Sequence, residues 1–158
     1  MQIAPLRDEE DSALDALRGL CVLDSPEEAQ FNALAETAAL VCGTPICAIS
    51  LIDVHRQWFK ACVGLPGVTE TSRDAAFCAH AVLGNELMEV PNALDDERFH
   101  DNPLVIGDPH IRFYAGMPLR LKNGICIGTL CVIDRVPRVL SDLQREVLHK
   151  LAVAVTSA

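Results

Sequence analysis

The sequence predicts an α+β fold, built as an antiparallel sheet with helices on both faces. Three observations lead there. Residues 46–52 (ICAISLI) and 125–133 (ICIGTLCVI) are short and almost wholly apolar. Such runs suit central strands buried on both faces. Each is joined by a short turn to a run that alternates apolar and polar residues. That arrangement makes hairpins, hence an antiparallel and not a doubly wound sheet. Helical spacing marks both ends of the chain, and strands buried on two faces need helices on each side.

In chain order, residues 8–20 (DEEDSALDALRGL) form an amphipathic helix with Leu14, Leu17 and Cys21 on one stripe. Gly19 weakens its end. Next, Ser25 suits an N-cap, Pro26 the first helical position, and Glu28 the closure of a capping box. Phe31, Leu34, Ala35 and Ala38 follow at helical spacing, and Gly43 supplies the stop. After the strand 46–52, Asp53 to Arg56 turn the chain into 57–63 (QWFKACV). Alternation there sends Phe59, Ala61 and Val63 to one face, and Trp58, Lys60 and Cys62 to the other. Residues 73–83 read as a helix between Ser72 as N-cap and Gly84 as stop. A short strand follows within ELMEVPNA. Residues 92–110 have no clear period, and a compact domain rarely keeps so long an irregular stretch without a use.

The run 111–121 alternates again. Ile111, Phe113, Ala115, Met117, Leu119 and Leu121 share one face; Arg112, Tyr114 and Arg120 share the other. Lys122-Asn123-Gly124 predicts a type I′ turn into the strand 125–133. Ser141 and Gln144 form a capping box opening a helix from 142 to 158, with Leu143, Val147, Leu151 and Val155 as its stripe. The whole chain, 1–158, reads as one domain without internal repeats.

Composition excludes several functions. The formal net charge is −9, which disfavours nucleic acid and anionic membrane surfaces. No apolar run approaches the roughly 20 residues of a membrane span, so no membrane insertion is expected. No basic start precedes an apolar core at the N-terminus, so no secretory leader is expected. There are seven cysteines, mostly within apolar runs, and no CxxC. That favours a reducing cytoplasm over a disulfide framework, and offers no usual zinc spacing.

Two constellations stand out as candidate sites. Residues 77–81 (FCAHA) set Cys78 two residues from His80. On a helix, such neighbours diverge, so a direct nucleophile–base pair is disfavoured. Cys78 then packs, and His80 walls a pocket. His110, Arg112 and Tyr114 alternate on one strand face, where an imidazole, a cation and a phenol could hold a polar or anionic ligand. Alternatively Arg112 pairs with Asp95, Asp96 or Asp101. The irregular segment adds Arg98, Phe99, Asn102 and Leu104, with Asn102 suited to capping local backbone. Trp58 is expected half exposed, in a packing or dimer contact.

The stretches VLDSPEEAQFNALAETAALVCGTPICAISLIDVHRQWFKACVGL, SRDAAFCAHAVL, NALDDERFHDNPLVIGDPHIRFYAGMPLR and IGTLCVIDRVPRVLSDLQREVLHKLA together resemble a GAF domain, of the bacterial group found with histidine kinases and diguanylate cyclases. The resemblance spans about residues 20–155. It implies a GAF/PAS-like (profilin-like) sheet in the order 2-1-5-4-3, with terminal helices on one face and a small-molecule pocket on the other. Helix 73–83 and loop 92–110 would roof that pocket, placing His80, Cys78, Phe99, Asn102, His110, Arg112 and Tyr114 near a ligand. It also implies a non-enzymatic sensor module, a homodimer through the terminal helices, and a kinase or cyclase as output partner. Val153, Ala154 and Val155 form an apolar run near the end of the last helix, which fits such a dimer. The cofactor is unknown; covalent bilin is not expected, because the DPHIRFY segment carries no cysteine. Some members are free-methionine-R-sulfoxide reductases, the alternative here, and those need accessible thiols. Cys47, Cys62, Cys126 and Cys131 look buried, leaving Cys42 and Cys78 as the exposed candidates. A purely structural dimerisation module is a further alternative.

Overall fold

The computed structural model describes residues 1–158. Its strands are β1 (Ile46–Ile52), β2 (Arg56–Val63), β3 (Glu70–Ser72), β4 (Met88–Val90), β5 (Phe113–Arg120) and β6 (Cys126–Asp134). The helices are α1 (Glu10–Gly19), α2 (Ala29–Cys42), α3 (Cys78–Ala81), α4 (Pro103–Ile106) and α5 (Asp142–Ser157). The strands form one antiparallel sheet in the order β3-β2-β1-β6-β5-β4. Setting β3 aside, this is 2-1-5-4-3 by chain position. The strand β3 is three polar residues at the sheet edge, too short to leave a period in the sequence.

Both central strands are buried along their whole length. Alternation therefore feeds two cores. Cys47, Ile49 and Leu51 face Leu17 of α1, Ala35 and Ala38 of α2, and Leu148 and Ala152 of α5. Ile46, Ala48 and Ile52 face the other way, towards Phe77, Cys78, Phe99 and Val105. Gly128 allows β1 and β6 to approach, because a Cβ there would overlap the Ser50 carbonyl oxygen.

One bulge changes the expected faces of β2. The register moves from Ile49 opposite Ala61 to Ser50 opposite Phe59, leaving Lys60 as an extra residue. Trp58 and Ala61 consequently share the helix-side core, while Phe59 and Cys62 face the opposite layer. Trp58 is 7% exposed, not half exposed. The Lys60 ammonium turns towards the segment before α2. It donates to the Ser25 hydroxyl and the Pro26 carbonyl, each at 2.7 Å, and pairs with Glu28 at 2.7 Å. Ser25 itself donates to the Val22 carbonyl. The serine is thus occupied elsewhere, and α2 starts at Ala29 without the expected capping box.

Other local expectations shift for similar reasons. Helix 73–83 contracts to the single turn of α3; residues before it follow turns anchored by Arg73. The hairpin at 122–124 is a three-residue loop. Gly124 N–H donates to the Leu121 carbonyl and Leu121 N–H to that of Ile125, and only Gly124 has positive φ. The capping box at Ser141 and Gln144 forms as expected. On α5, however, Leu148, Ala152 and Val155 are buried while Leu143 is exposed, so the stripe is rotated from the expected one. Cys21 lies past the end of α1 with positive φ and is exposed.

Candidate functional site

A cavity of about 300 Å³ lies between the sheet and the layer carrying α3 and α4. Ala48, Phe59, Tyr114, Cys131 and Ile133 supply its sheet side. Phe77, Cys78, Leu104, Pro109 and Ile111 supply the roof, and Leu65, Pro66 and Val68 a side wall. Asp108 and Arg135, both exposed, stand among its lining residues.

Packed aromatics hold the roof. Phe77 and Phe99 stack at 4.0 Å between centroids, Phe77 meets Tyr114 at 5.2 Å, and His80 meets Phe99 edge-on at 4.9 Å. Asn102 ties the irregular segment to the roof. Its Oδ1 accepts from Leu104 N–H at 2.9 Å, capping α4, and its Nδ2 donates to the Ala75 carbonyl at 3.1 Å. The expected local capping by Asn102 is therefore present.

The deepest part of the cavity is a hydroxyl–thiol cluster. Tyr114 Oη donates to Cys78 Sγ at 3.0 Å, and Thr129 Oγ1 donates to the same sulfur at 2.9 Å. Ser50 Oγ lies 3.8 Å from Cys131 Sγ. Burial pushes the Cys78 thiol up, but hydrogen bonds from Cys131, Thr129, Tyr114 and Ser50 outweigh it and bring the pKa down to about 7. Tyr114 is pushed up by burial and by the neighbouring sulfurs. Cys131 is pushed up by its hydrogen bond to Cys78 and by burial.

Of the seven residues expected near a ligand, Cys78 and Tyr114 line this cavity. His80, Phe99, Asn102, His110 and Arg112 do not line it. His80 and Cys78 diverge as helical spacing requires: the imidazole Nε2 meets the Gln2 carbonyl at 3.0 Å, on the outer side of the roof. Burial lowers the His80 pKa below its ordinary value, and Nε2 is the donor because the carbonyl oxygen can only accept. Phe99 is fully buried behind Phe77. His110 and Arg112 precede β5, so the expected strand face with Tyr114 does not form. His110 has positive φ and is exposed. Arg112 donates to the Val105 and Ile111 carbonyls, each at 3.0 Å, and pairs with none of the three aspartates considered. Asp96 pairs instead with Arg98, and Asp101 with the terminal amine.

Cysteine exposure also differs from expectation. Cys42 and Cys78 are buried, Cys62 is half-buried because the bulge at Lys60 shifts the end of β2, and Cys21 is exposed. Burial raises Cys42 and Cys62 to about 11 each. All seven are free, and no group of three or more His, Cys, Asp or Glu residues could hold a metal ion. No helix is long and apolar enough to cross a membrane.

The missed lining residues are mainly Gln57, Phe59 and Leu65. The apolar alternation of 57–63 held a signal for Phe59, but the bulge at Lys60 hid which face it would take.

One polar network connects the roof to α1. Glu10 receives Arg73 through two hydrogen bonds at 2.8 Å, and Arg7 at 3.0 and 3.1 Å. Arg7 also donates to the Cys126 and Ile52 carbonyls, and Arg73 to that of Asp53. The hydrogen bond from Arg73 is the main cause that lowers the Glu10 carboxyl from 4.5 to about 2; burial opposes it and Arg7 adds to it.

The family model for the GAF domain matches residues 26–158. The chain belongs to the GAF domain family. It is 43% identical over 138 residues to a cyclic di-GMP phosphodiesterase of Pseudomonas aeruginosa, covering 87% of this chain. The chain spans 23% of the length of that relative. Among solved structures, the type II free methionine-R-sulfoxide reductase of Thermoplasma acidophilum superposes with a TM-score of 0.67 at 15% identity, over 82% of this chain and 89% of that one. The GAF domain of an Acinetobacter phosphoenolpyruvate-protein phosphotransferase gives 0.66 at 21% identity, over 92% and 91%. At such identities the structural likeness establishes the GAF fold, which hosts many functions.

Proposed function

We propose that this GAF domain is a cytoplasmic sensor of a small molecule, acting as one regulatory unit of a signalling protein. Its ligand occupies the cavity beneath α3 and the 92–110 segment. The observation that carries the reading is the pairing of that cavity with the Arg73–Glu10–Arg7 network. The roof begins at Arg73, and Arg73 grips the first turn of α1 beside the ends of the central strands β1 and β6. A ligand that favours one arrangement of the roof biases α1 by its differential affinity for the two arrangements. The 43% identical relative supports a cyclic-di-GMP signalling enzyme as the output partner, alongside a histidine kinase or diguanylate cyclase. Val153 and Leu143, both exposed on α5, suit a homodimer through the terminal helices.

The test is a thermal-shift and native mass screen of the purified chain against metabolites and nucleotides. Ligand bound only by the folded state raises the melting temperature. Hydrogen exchange with the best hit should slow in 73–83 and in α1 together. Protection confined to the cavity would defeat the coupling.

A reductase is the second reading, favoured by Cys78 and Cys131 lying together in the cavity with a lowered Cys78 pKa. It requires turnover of free methionine sulfoxide that is lost in Cys78→Ser. No turnover by the native chain ends it.

A further inference from the structure

Almost every polar group in the cavity wall is already engaged. The Tyr114 hydroxyl is spent on Cys78. The Thr71 hydroxyl donates to the Ser72 carbonyl at 3.4 Å and accepts from Gln57 Nε2 at 2.9 Å. That arrangement leaves Gln57 Oε1 as the free end of the amide. Gln57 is 5% exposed, lines the cavity, and its Oε1 is buried with no hydrogen-bond partner. A buried acceptor left unpaired costs free energy and calls for a donor. Most of the wall it shares is apolar, with Phe59, Leu65 and Val68 among the lining residues.

Charge in the wall points the same way. The only cation lining the cavity is Arg135, which is exposed and shares the lining with the Asp108 carboxylate. Lys60, the buried ammonium, is engaged with the segment before α2. A phosphate placed in this cavity would meet only that exposed cation, beside a carboxylate of its own sign, and no buried cation. The volume of about 300 Å³ is at the low end for ligand pockets.

Resting on the cavity proposed above as a ligand site, we infer that its occupant is an uncharged, mostly apolar molecule that presents one N–H or O–H to Gln57 Oε1. A cyclic dinucleotide is not that occupant, whatever enzyme the domain regulates. The amide oxygen selects for the donor, and the apolar walls take the rest of the molecule.

Calorimetric titration of the whole chain with indole and with benzofuran tests this. The two probes share a shape, and only indole carries an N–H. Indole should bind about tenfold or more tighter, the size expected when a buried acceptor is left unpaired by the analogue. Gln57→Leu should bind both probes equally, and Gln57→Glu, which keeps an acceptor, should keep the preference for indole; circular dichroism confirms that each variant is folded. Equal affinity of the native chain for both probes overturns the inference and leaves the cavity a ligand site. Displacement of indole by cyclic di-GMP likewise overturns it. Binding of neither indole nor benzofuran overturns both the inference and the cavity as a ligand site.

Discussion

Replacing Glu10 with Gln should unfasten α1 from the ends of the central strands β1 and β6. The carboxylate, 12% exposed in its side chain, serves two guanidinium groups, Arg7 and Arg73, that are themselves nearly buried. Its pKa falls from 4.5 to about 2 on folding. At 1.36 kcal/mol per pH unit, that corresponds to about 3 kcal/mol of stability at pH 7. Removing one partner of a buried pair costs a similar amount, about 3–5 kcal/mol. Because the folded value lies below the unfolded one, the contribution is complete above about pH 5 and is lost as pH falls towards 2. At pH 3 about 1.4 kcal/mol should remain. Urea unfolding of the native chain and Glu10→Gln at pH 7 and pH 3 reads both values. Melting should drop by about 6–12 °C at neutral pH for a chain of this size. A loss below about 1 kcal/mol at pH 7, or an equal loss at both pH values, would refute the claim that ionised Glu10 holds the two arginines.

Other outcomes follow from the same geometry. The ultraviolet thiolate absorbance of Cys78, read as the difference between the native chain and Cys78→Ser, should have a pH midpoint near the value of about 7 set by its donors, and Tyr114→Phe should move it upward. A midpoint at or above that of a free cysteine would contradict the donor arrangement. Gly128→Ala should cost about 3 kcal/mol or more in denaturant unfolding, since the added Cβ meets backbone that cannot yield; a cost below 1 kcal/mol would mean that β1 and β6 can separate. Val153→Glu combined with Leu143→Glu should convert a dimer to a monomer in sedimentation while leaving the melting temperature within about 2 °C, because both side chains are exposed. An unchanged sedimentation coefficient would remove α5 from the interface.

The architecture was legible because the central strands are extreme in composition. ICAISLI and ICIGTLCVI admit few other places in a domain. Ser141 and Gln144 also behaved as local rules require, since the tertiary partner of Gln144, the Val41 carbonyl, takes its Nε2 and leaves its Oε1 to Ser141. Ser25 followed the same local rule and failed, because Lys60 arrives from 35 residues away to take its hydroxyl. The site was less legible. Arg112 and His110 looked like ligand contacts by alternation, but the strand starts only at Phe113, and alternation means nothing before a strand begins. Gln57 carries no periodic signal at all. Its interest comes from an oxygen without a partner, which is a property of three-dimensional surroundings and not of sequence spacing.

The bulge in β2 has a wider meaning for how such a domain can change. In a regular strand every residue is committed to one layer or the other, so each substitution affects a core. The extra position at Lys60 is exempt. Its side chain lies over the Phe31 ring on the helix side, and the fold uses it as a peg for the segment between α1 and α2. Peg and wall can therefore drift apart over evolutionary time. Relatives could exchange the ammonium, and with it the attachment of the helices, while Gln57 and Phe59 keep the same chamber on the opposite side.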